Sequence, residues 1–364
     1  MGRTLLLVFI LFGCTAREQT RETEQHAPAT PRPEPERSSV VVGGTVFGLG
    51  RTNLRIVAGH VSAIGVTPAA NEAVIDATGR FVVPGFIDSH VHLAYDPVGD
   101  QLLSNGIVAV LDLAAPLAAL SAPHGALVVQ NAGPMITAPL GYPTTSWGHD
   151  GYGLEVASRA EASAAVEMLF KAGVQAIKVP LTAPPTLDDD TVKAIVQAAH
   201  RHQLKVYAHA LEAVNAARAA ADGVDVLAHT PTEPLDDATL DAWRKRTVIS
   251  TLAAFGGAAS IANLRALHQR GARILYGTDF GNTRDTHIQF DEIDALLAAG
   301  LDGNEIVRAG TAVPAEFLAL SDLGTLEPGK RASFLLLDRD PSEEPRALSS
   351  PSGVYIDGVR VSGH

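Results

Sequence analysis

The chain has one cysteine in 364 residues, Cys14. That excludes an intramolecular disulfide, so no part of the fold is stapled. Basic residues are outnumbered, with 28 Lys and Arg against 40 Asp and Glu, for a net charge of −12. Such a balance argues against a nucleic-acid partner, whose phosphates require a basic surface. Long apolar runs are also missing. The one near the start, Thr4 to Phe12, is too short for a transmembrane helix. No internal repeat is visible apart from the alternating units described below. What remains, 46% apolar and 19% charged residues, is the composition of a globular protein with ample core. The length is that of one large domain or two ordinary ones.

The first residues read as an export signal rather than as fold. Arg3 precedes the apolar run, and Gly13 and Cys14 follow it. Leu11-Phe12-Gly13-Cys14 resembles the lipobox of bacterial lipoproteins, although Phe12 replaces the usual small residue. The resemblance implies cleavage before Cys14, lipidation of its sulfur and attachment to a membrane of the bacterial cell envelope. Residues 15–39 are rich in Pro, Glu, Arg, Thr and Gln and poor in apolar residues. They cannot bury enough surface to offset their ordering entropy, and Pro31, Pro33 and Pro35 favour extended backbone. A tether is expected there.

Short β-type segments punctuated by Gly and Asn fill residues 40–85. From Phe86 the pattern changes to apolar strand-like runs alternating with helical stretches. The runs are Phe86 onward, Ile107 to Leu111, Leu127 to Gln130, Ala176 to Val179, Lys205 to Ala208, Val224 to Ala228, Thr247 to Thr251 and Arg273 to Tyr276. Helices are expected at Ser158 to Ala172, Asp188 to His202, Glu212 to Ala221 and Ile261 to Arg270. Eight such units predict an α/β chain with a (β/α)₈ TIM barrel over residues 86–320. After Leu320 the β pattern returns, ending in a hairpin. Residues 40–85 and 321–364 are therefore expected to build one small β-sandwich domain from both ends of the chain. The long irregular stretch Asn131 to Tyr152 reads as a lid over the barrel mouth.

The strand ends carry the chemistry. The first ends in His90-Val91-His92, the fifth in His209, the sixth in His229 and the eighth in Gly277-Thr278-Asp279. Lys178 interrupts the apolar fourth strand, an unusual place for an ammonium. In a barrel all of these ends share one mouth. Asp279 is expected across that mouth from His90 and His92.

These motifs, with Val83-Pro84-Gly85-Phe86-Ile87-Asp88-Ser89 before the first histidine and Gly324-Thr325-Leu326-Glu327-Pro328-Gly329-Lys330 near the end, resemble the amidohydrolase superfamily. Within it they resemble the imidazolonepropionase-like and prolidase-like metal-dependent hydrolases. The resemblance implies two divalent metal ions, Zn²⁺ by donor type. His90, His92 and Asp279 would hold one, and His209 and His229 the other. Lys178 would carry a CO₂-derived carbamate between them. Two cations about 3.5–4 Å apart make hydroxide available at neutral pH. Asp279 would take its proton and deliver it to the leaving nitrogen. The implied substrate is a small-molecule amide or peptide, a dipeptide first and a cyclic amide second. Tyr142, Trp147 and His149 in the lid and His287 after the eighth strand are candidate substrate contacts. A rival reading is a surface lipoprotein that binds a ligand without catalysis. Ala332-Ser333 departs from the usual Ala-Asp, at a position remote from the metals. Oligomeric state is not legible.

Overall fold

The computed structural model describes residues 38–363. Cys14, the apolar run before it and the polar segment up to residue 37 lie outside the described residues. The first strand begins at Ser38, two residues inside the segment read as a tether.

Eight strands carry the α/β part: β1 (Phe86–Val91), β2 (Ile107–Asp112), β3 (Val128–Asn131), β4 (Ala176–Pro180), β5 (Lys205–His209), β6 (Val226–Leu227), β7 (Thr247–Ile249) and β8 (Arg273–Leu275). Every residue of β1, β2 and β4 is buried. Strands covered on both faces read as continuous apolar runs, and here they do. The strands form two parallel arcs, β3-β2-β1 and β4-β5-β6-β7-β8. Backbone hydrogen bonds join the arcs at both ends. Gln175 N–H donates to the Asn131 carbonyl (2.8 Å), and Ser89 N–H donates to the Tyr276 carbonyl (3.0 Å). The domain is TIM-barrel-like, and β8 lies beside β1.

The helices form where expected, within a few residues. Asp188 caps Asp189–Arg201 by accepting from the Thr191 N–H, and Asp189 and Asp190 sit in the first turn. Acidic groups there complement the free N–H groups of the helix start. Ser158 caps Arg159–Lys171 in the same way.

The sheet-rich part draws on both ends of the chain. One sheet runs in the order His60–Ile64, Leu54–Val57, Ser38–Val42, Ala73–Asp76. The other runs Val359–Gly363, Gly353–Ile356, Phe334–Leu337, Phe81–Pro84, Thr45–Val46, Gly50–Arg51. Phe81–Pro84 is the seam, parallel to Thr45–Val46 and antiparallel to Phe334–Leu337. Val41, Leu54 and Ile56 share an apolar core with Val82, Phe334 and Leu336. Ser333 serves this part alone: its hydroxyl accepts from the Asp357 N–H at 3.1 Å.

The stretch read as a wholly irregular lid is not irregular throughout. Met135–Thr137 pairs in parallel with Gly153–Glu155. Backbone pairing closes this excursion at its base and leaves residues 138–152 as its loop.

Candidate metal centre

Strand β1 delivers His90 and His92 to one end of the α/β part. The segment after β8 delivers Asp279 beside them. The two chains run so close that side chains would obstruct them. A Cβ on Gly277 would meet His90 Cβ at 3.2 Å, and one on Gly281 would meet His92 Cβ at 2.7 Å. Asp279 N–H donates to the His90 carbonyl (2.9 Å), and His92 N–H to the Phe280 carbonyl (2.6 Å). Asp279 is thus the neighbour of His90 and His92, not their opposite. The expectation of a position across the mouth fails because the segment after β8 hydrogen-bonds to the end of β1. Asp279 adopts a left-handed φ of 55°. A non-glycine residue held there is strained, and such strain gathers at functional sites.

His90, His92 and Asp279 are buried and form a group of three metal-capable side chains. Asp279 Oδ1 lies 3.2 Å from His90 Nε2 and 3.1 Å from His92 Nε2. The other oxygen, Oδ2, accepts from Asn282 Nδ2 at 3.0 Å. His90 Nδ1 faces the Ala228 carbonyl at 2.8 Å. A carbonyl can only accept, so Nδ1 carries the proton and Nε2 turns a lone pair toward the carboxylate. Burial, followed by the charge of Lys178, holds the His90 pKa well below the usual histidine range, which keeps the ring neutral. Asp279 Oδ1 and His92 Nδ1 are buried with no hydrogen-bond partner. A buried oxygen without a donor is costly. Two imidazoles and a carboxylate converge here, a donor set that suits a divalent cation.

Lys178 reaches the same place from β4. Its Nζ is 3.3 Å from His90 Nε2, and the side chain is fully buried. Burial brings its pKa down to about 7, against the opposing pull of Asp279 and Asp112. A neutral amine is therefore accessible at physiological pH.

His209 and His229 form a second group. Their rings meet edge-on with centroids 4.7 Å apart, and His229 lies 4.4 Å from His90. His229 Nδ1 is 3.1 Å from the Thr251 hydroxyl. Thr251, like Asp279, has a left-handed φ, here 44°. Burial lowers His209 to about 3 and His229 well below its usual range, so both are neutral ligand-ready rings.

The candidate substrate contacts separate into two pairs. Trp147 packs on His92 (5.1 Å) and Tyr142 on His209 (5.3 Å). Their side chains are joined by a 2.8 Å hydrogen bond from Trp147 Nε1 to the Tyr142 oxygen. Burial pushes the Tyr142 phenol up to about 12, with Asp279 adding to the rise. The other pair stands apart. His149 is exposed and bonded to Asp150, and His287 is exposed and bonded to Asp285. Each ring is held by an acid next to it or two residues away, and neither belongs to the metal group.

Several residues of the site escape sequence reasoning. Asp88 accepts from the backbone N–H of His90 and of Thr278 and from the Thr278 hydroxyl, tying β1 to the β8 end beneath the metal group. Its signal is present, since Asp88, His90 and His92 alternate. Asp112 accepts from Ala94 and Ala114 N–H and fixes the turn after His92. Burial raises Asp88 to about 7 and Asp112 to about 6. Phe255 packs on His229 at 4.6 Å, and Glu292 holds the segment carrying it through the Ala253 N–H (2.6 Å). Neither has a local signal.

A profile of the amidohydrolase family matches residues 100–361, so the chain belongs to that family, and the homologues it matches include hydrolases acting on carbon–nitrogen bonds. The matched span holds Lys178, His209, His229 and Asp279 and starts after His92; the geometry above supplies the two histidines that precede it. The chain is 28% identical over 303 residues to an adenine deaminase of Deinococcus radiodurans, covering 78% of this chain but 54% of that one. It is 27% identical over 343 residues to the imidazolonepropionase of Streptomyces griseus, covering 80% of this chain and 87% of that one. The chain thus spans about half the length of the adenine deaminase and most of the imidazolonepropionase. Among solved structures, a putative prolidase from Bifidobacterium longum superposes with a TM-score of 0.76 at 24% identity, over 90% of this chain and 95% of that one. A Xaa-Pro dipeptidase with bound methionine gives 0.77 at 21%, over 90% and 100%. These likenesses are of fold.

Proposed function

We propose that this chain is a metal-dependent hydrolase that cleaves a C–N bond in an amide or peptide, with dipeptides of the prolidase kind as first substrates. The observation that carries the reading is the buried Asp279 Oδ1 facing both the His90 and His92 rings within 3.2 Å. His90, His92 and Asp279 would hold one divalent ion, with zinc favoured by the donors. His209 and His229 would contribute to a second. Lys178, buried with a lowered pKa, is suited to react with CO₂ as the neutral amine and to serve as a carbamate donor between the two. Bound divalent ions supply hydroxide at neutral pH and polarise a carbonyl. The chain's own residues then do the rest. Asp279 Oδ1 accepts the proton of the attacking water as its oxygen adds to the carbonyl carbon. The same group returns that proton to the nitrogen as the C–N bond breaks. The Trp147 and Tyr142 rings exclude bulk water from that transfer. We take the eight strands to close as a full (β/α)₈ barrel with a β-sandwich beside it, on the strength of the two backbone junctions and the shared apolar core.

Cyclic amides are the second reading, favoured by the match to an imidazolonepropionase over most of that enzyme's length. A metal assay on purified protein, followed by dipeptides, N-acyl amino acids and cyclic amides offered to the zinc-loaded form, tests both readings. Protein free of divalent metal that hydrolyses none of them would leave the rival, a ligand-binding surface protein. Anchoring at Cys14 in the bacterial envelope is a separate proposal, resting on the sole cysteine after a short apolar run. Cys14→Ser should abolish lipid labelling; equal labelling of both forms would rule it out. Durable attachment needs more than one acyl chain.

A further inference from the structure

Thr251 stands at the start of the single helical turn Leu252–Phe255. A threonine hydroxyl there ordinarily accepts from one of the free N–H groups of the helix start. This one is used differently. The backbone of Thr251 is left-handed, and its side chain caps nothing among the described residues. The hydroxyl lies 3.1 Å from His229 Nδ1 instead. A β-branched residue in that conformation is an outlier that its surroundings must hold in place. Backbone bonds hold one side. Thr251 N–H donates to the Gly277 carbonyl at 3.1 Å, and the Thr230 hydroxyl donates to the Ser250 carbonyl at 2.9 Å. Glu292, in the first turn of the helix Phe290–Ala298, holds the other. Its Oε2 accepts from the Ala253 N–H at 2.6 Å, and the Leu252 N–H adds to the hold. Glu292 is fully buried, on a helix whose Ile293 and Leu296 are buried as well. An apolar side chain would pack there at lower cost, because a buried carboxyl group is expensive unless its hydrogen bonds are used. Glu292 thus performs the capping that Thr251 gives up.

We infer that Glu292 is a positioning residue for the His229 ring: by taking the N–H groups at the start of Leu252–Phe255 it holds Thr251 left-handed and frees the Thr251 hydroxyl to fix that ring. The same turn carries Phe255, which packs on His229 at 4.6 Å, so one carboxyl group governs two of the ring's contacts. The inference rests on the hydrolase reading above only for the ion that His229 would hold. The orientation of the ring belongs to the chain itself and can be read without metal.

Two measurements decide it. The first is the tautomer of His229 in metal-free protein at neutral pH, read from the ring nitrogen resonances. Wild type should show a single tautomer, because the Thr251 hydroxyl commits Nδ1. Glu292→Leu keeps the bulk and removes the acceptor, so it should show two tautomers in exchange. Glu292→Gln keeps an oxygen for the Ala253 N–H and should look like wild type. An unchanged His229 signal in Glu292→Leu would overturn the inference, as would a Glu292→Gln protein that behaves like Glu292→Leu. Should Glu292→Leu fail to fold, Glu292→Asp, whose carboxylate falls short of the Ala253 N–H, takes its place with the same expectation. The second measurement is zinc affinity by competitive chelation. Glu292→Leu should weaken the ion held with His229 about tenfold, the lower end of what a ligand's hydrogen-bond partner is worth. The ion at His90, His92 and Asp279 should stay within a few-fold. Equal loosening of both ions would mean a role in stability alone and would overturn the inference. Adding Glu292→Leu to Thr251→Ala should cost little beyond Thr251→Ala, since the first change acts through the hydroxyl that the second removes. Full additivity would equally overturn it. If the wild type takes up no zinc, the hydrolase reading fails, and the His229 tautomer still decides the role of Glu292.

Discussion

The two histidine groups at the strand ends are built differently. His90, His92 and Asp279 come from adjacent strand ends, with backbone hydrogen bonds between them and a carboxylate already in place. His209 and His229 come from neighbouring strands too, but the metal-capable group of three does not include them. On the reading proposed above their third donor would be Lys178, which as an unmodified lysine carries a cation or a neutral amine and no oxygen. The first half is complete as translated. The second, on that proposed reading, would wait for a chemical step on β4. The difference teaches that one half can be judged from geometry, and the other only from geometry and chemistry together.

The contrast can be broken most sharply at Asp279. As a ligand only, Asp279→Asn would lower metal affinity yet retain appreciable activity at saturating zinc. As a proton carrier it should cost about 10²–10⁴-fold in kcat even with both sites filled, and the acidic limb of the pH–rate profile should vanish. Steady-state kinetics with metal analysis at each zinc concentration separates the two. A metal-replete variant within a few-fold of wild type would leave Asp279 as a ligand at most.

Lys178→Ala should expose the asymmetry directly. The first half should still bind its ion, and the second should lose it, giving about one equivalent by atomic spectroscopy instead of two. Short carboxylates should partly restore activity by replacing the missing oxygen donor. Two equivalents with full activity in the variant would remove Lys178 from the site.

A smaller effect is expected at Thr251, whose hydroxyl orients the His229 ring. Thr251→Ala should weaken the second ion about 10–100-fold, the usual cost of removing a ligand's hydrogen-bond partner, and leave the first unchanged. It also removes a β-branched residue from a left-handed conformation, but Ala is strained there as well, so stability should change little. Competitive chelation would measure both affinities.

The mildest test is acid. His90, His209 and His229 are held neutral in the fold, below their unfolded value near 6.5. Below about pH 6.5 the unfolded chain binds protons that the folded chain does not, so stability present above that pH is lost as pH falls. The histidines of the metal-free protein should therefore contribute a falling stability from about pH 6.5 downward. The buried acids act in the opposite sense. Asp88 and Glu292, raised to about 7, contribute stability that is present at low pH and lost as pH rises through about 7. Metal should flatten the acid side until the histidines release it. Because the two sets oppose each other over this range, the check is direct titration of the imidazole resonances: rings that take up protons at about pH 6.5 in the metal-free fold would contradict the neutral-ring description.

What the sequence by itself determined is the order of the elements and the identity of the donors. Period-two and helical patterns are local, and a strand covered on both faces declares itself as an apolar run, so β1 to β8 were legible to within a few residues. Two histidines one residue apart, a lysine inside an apolar strand and Gly-Thr-Asp after the last strand are equally local signals. Only the tertiary structure decided how they meet. Backbone bonds between the segment after β8 and the end of β1 put Asp279 beside His90 instead of across from it, because such neighbours are set by long-range pairing. Left-handed backbone at Asp279 and Thr251 leaves no mark in side-chain pattern. The loop over the site was legible only as a loop. Its backbone pairing at Met135–Thr137, its Trp147–Tyr142 bond and the outward turn of His149 depend on contacts with β1 and β5, which no stretch of sequence contains.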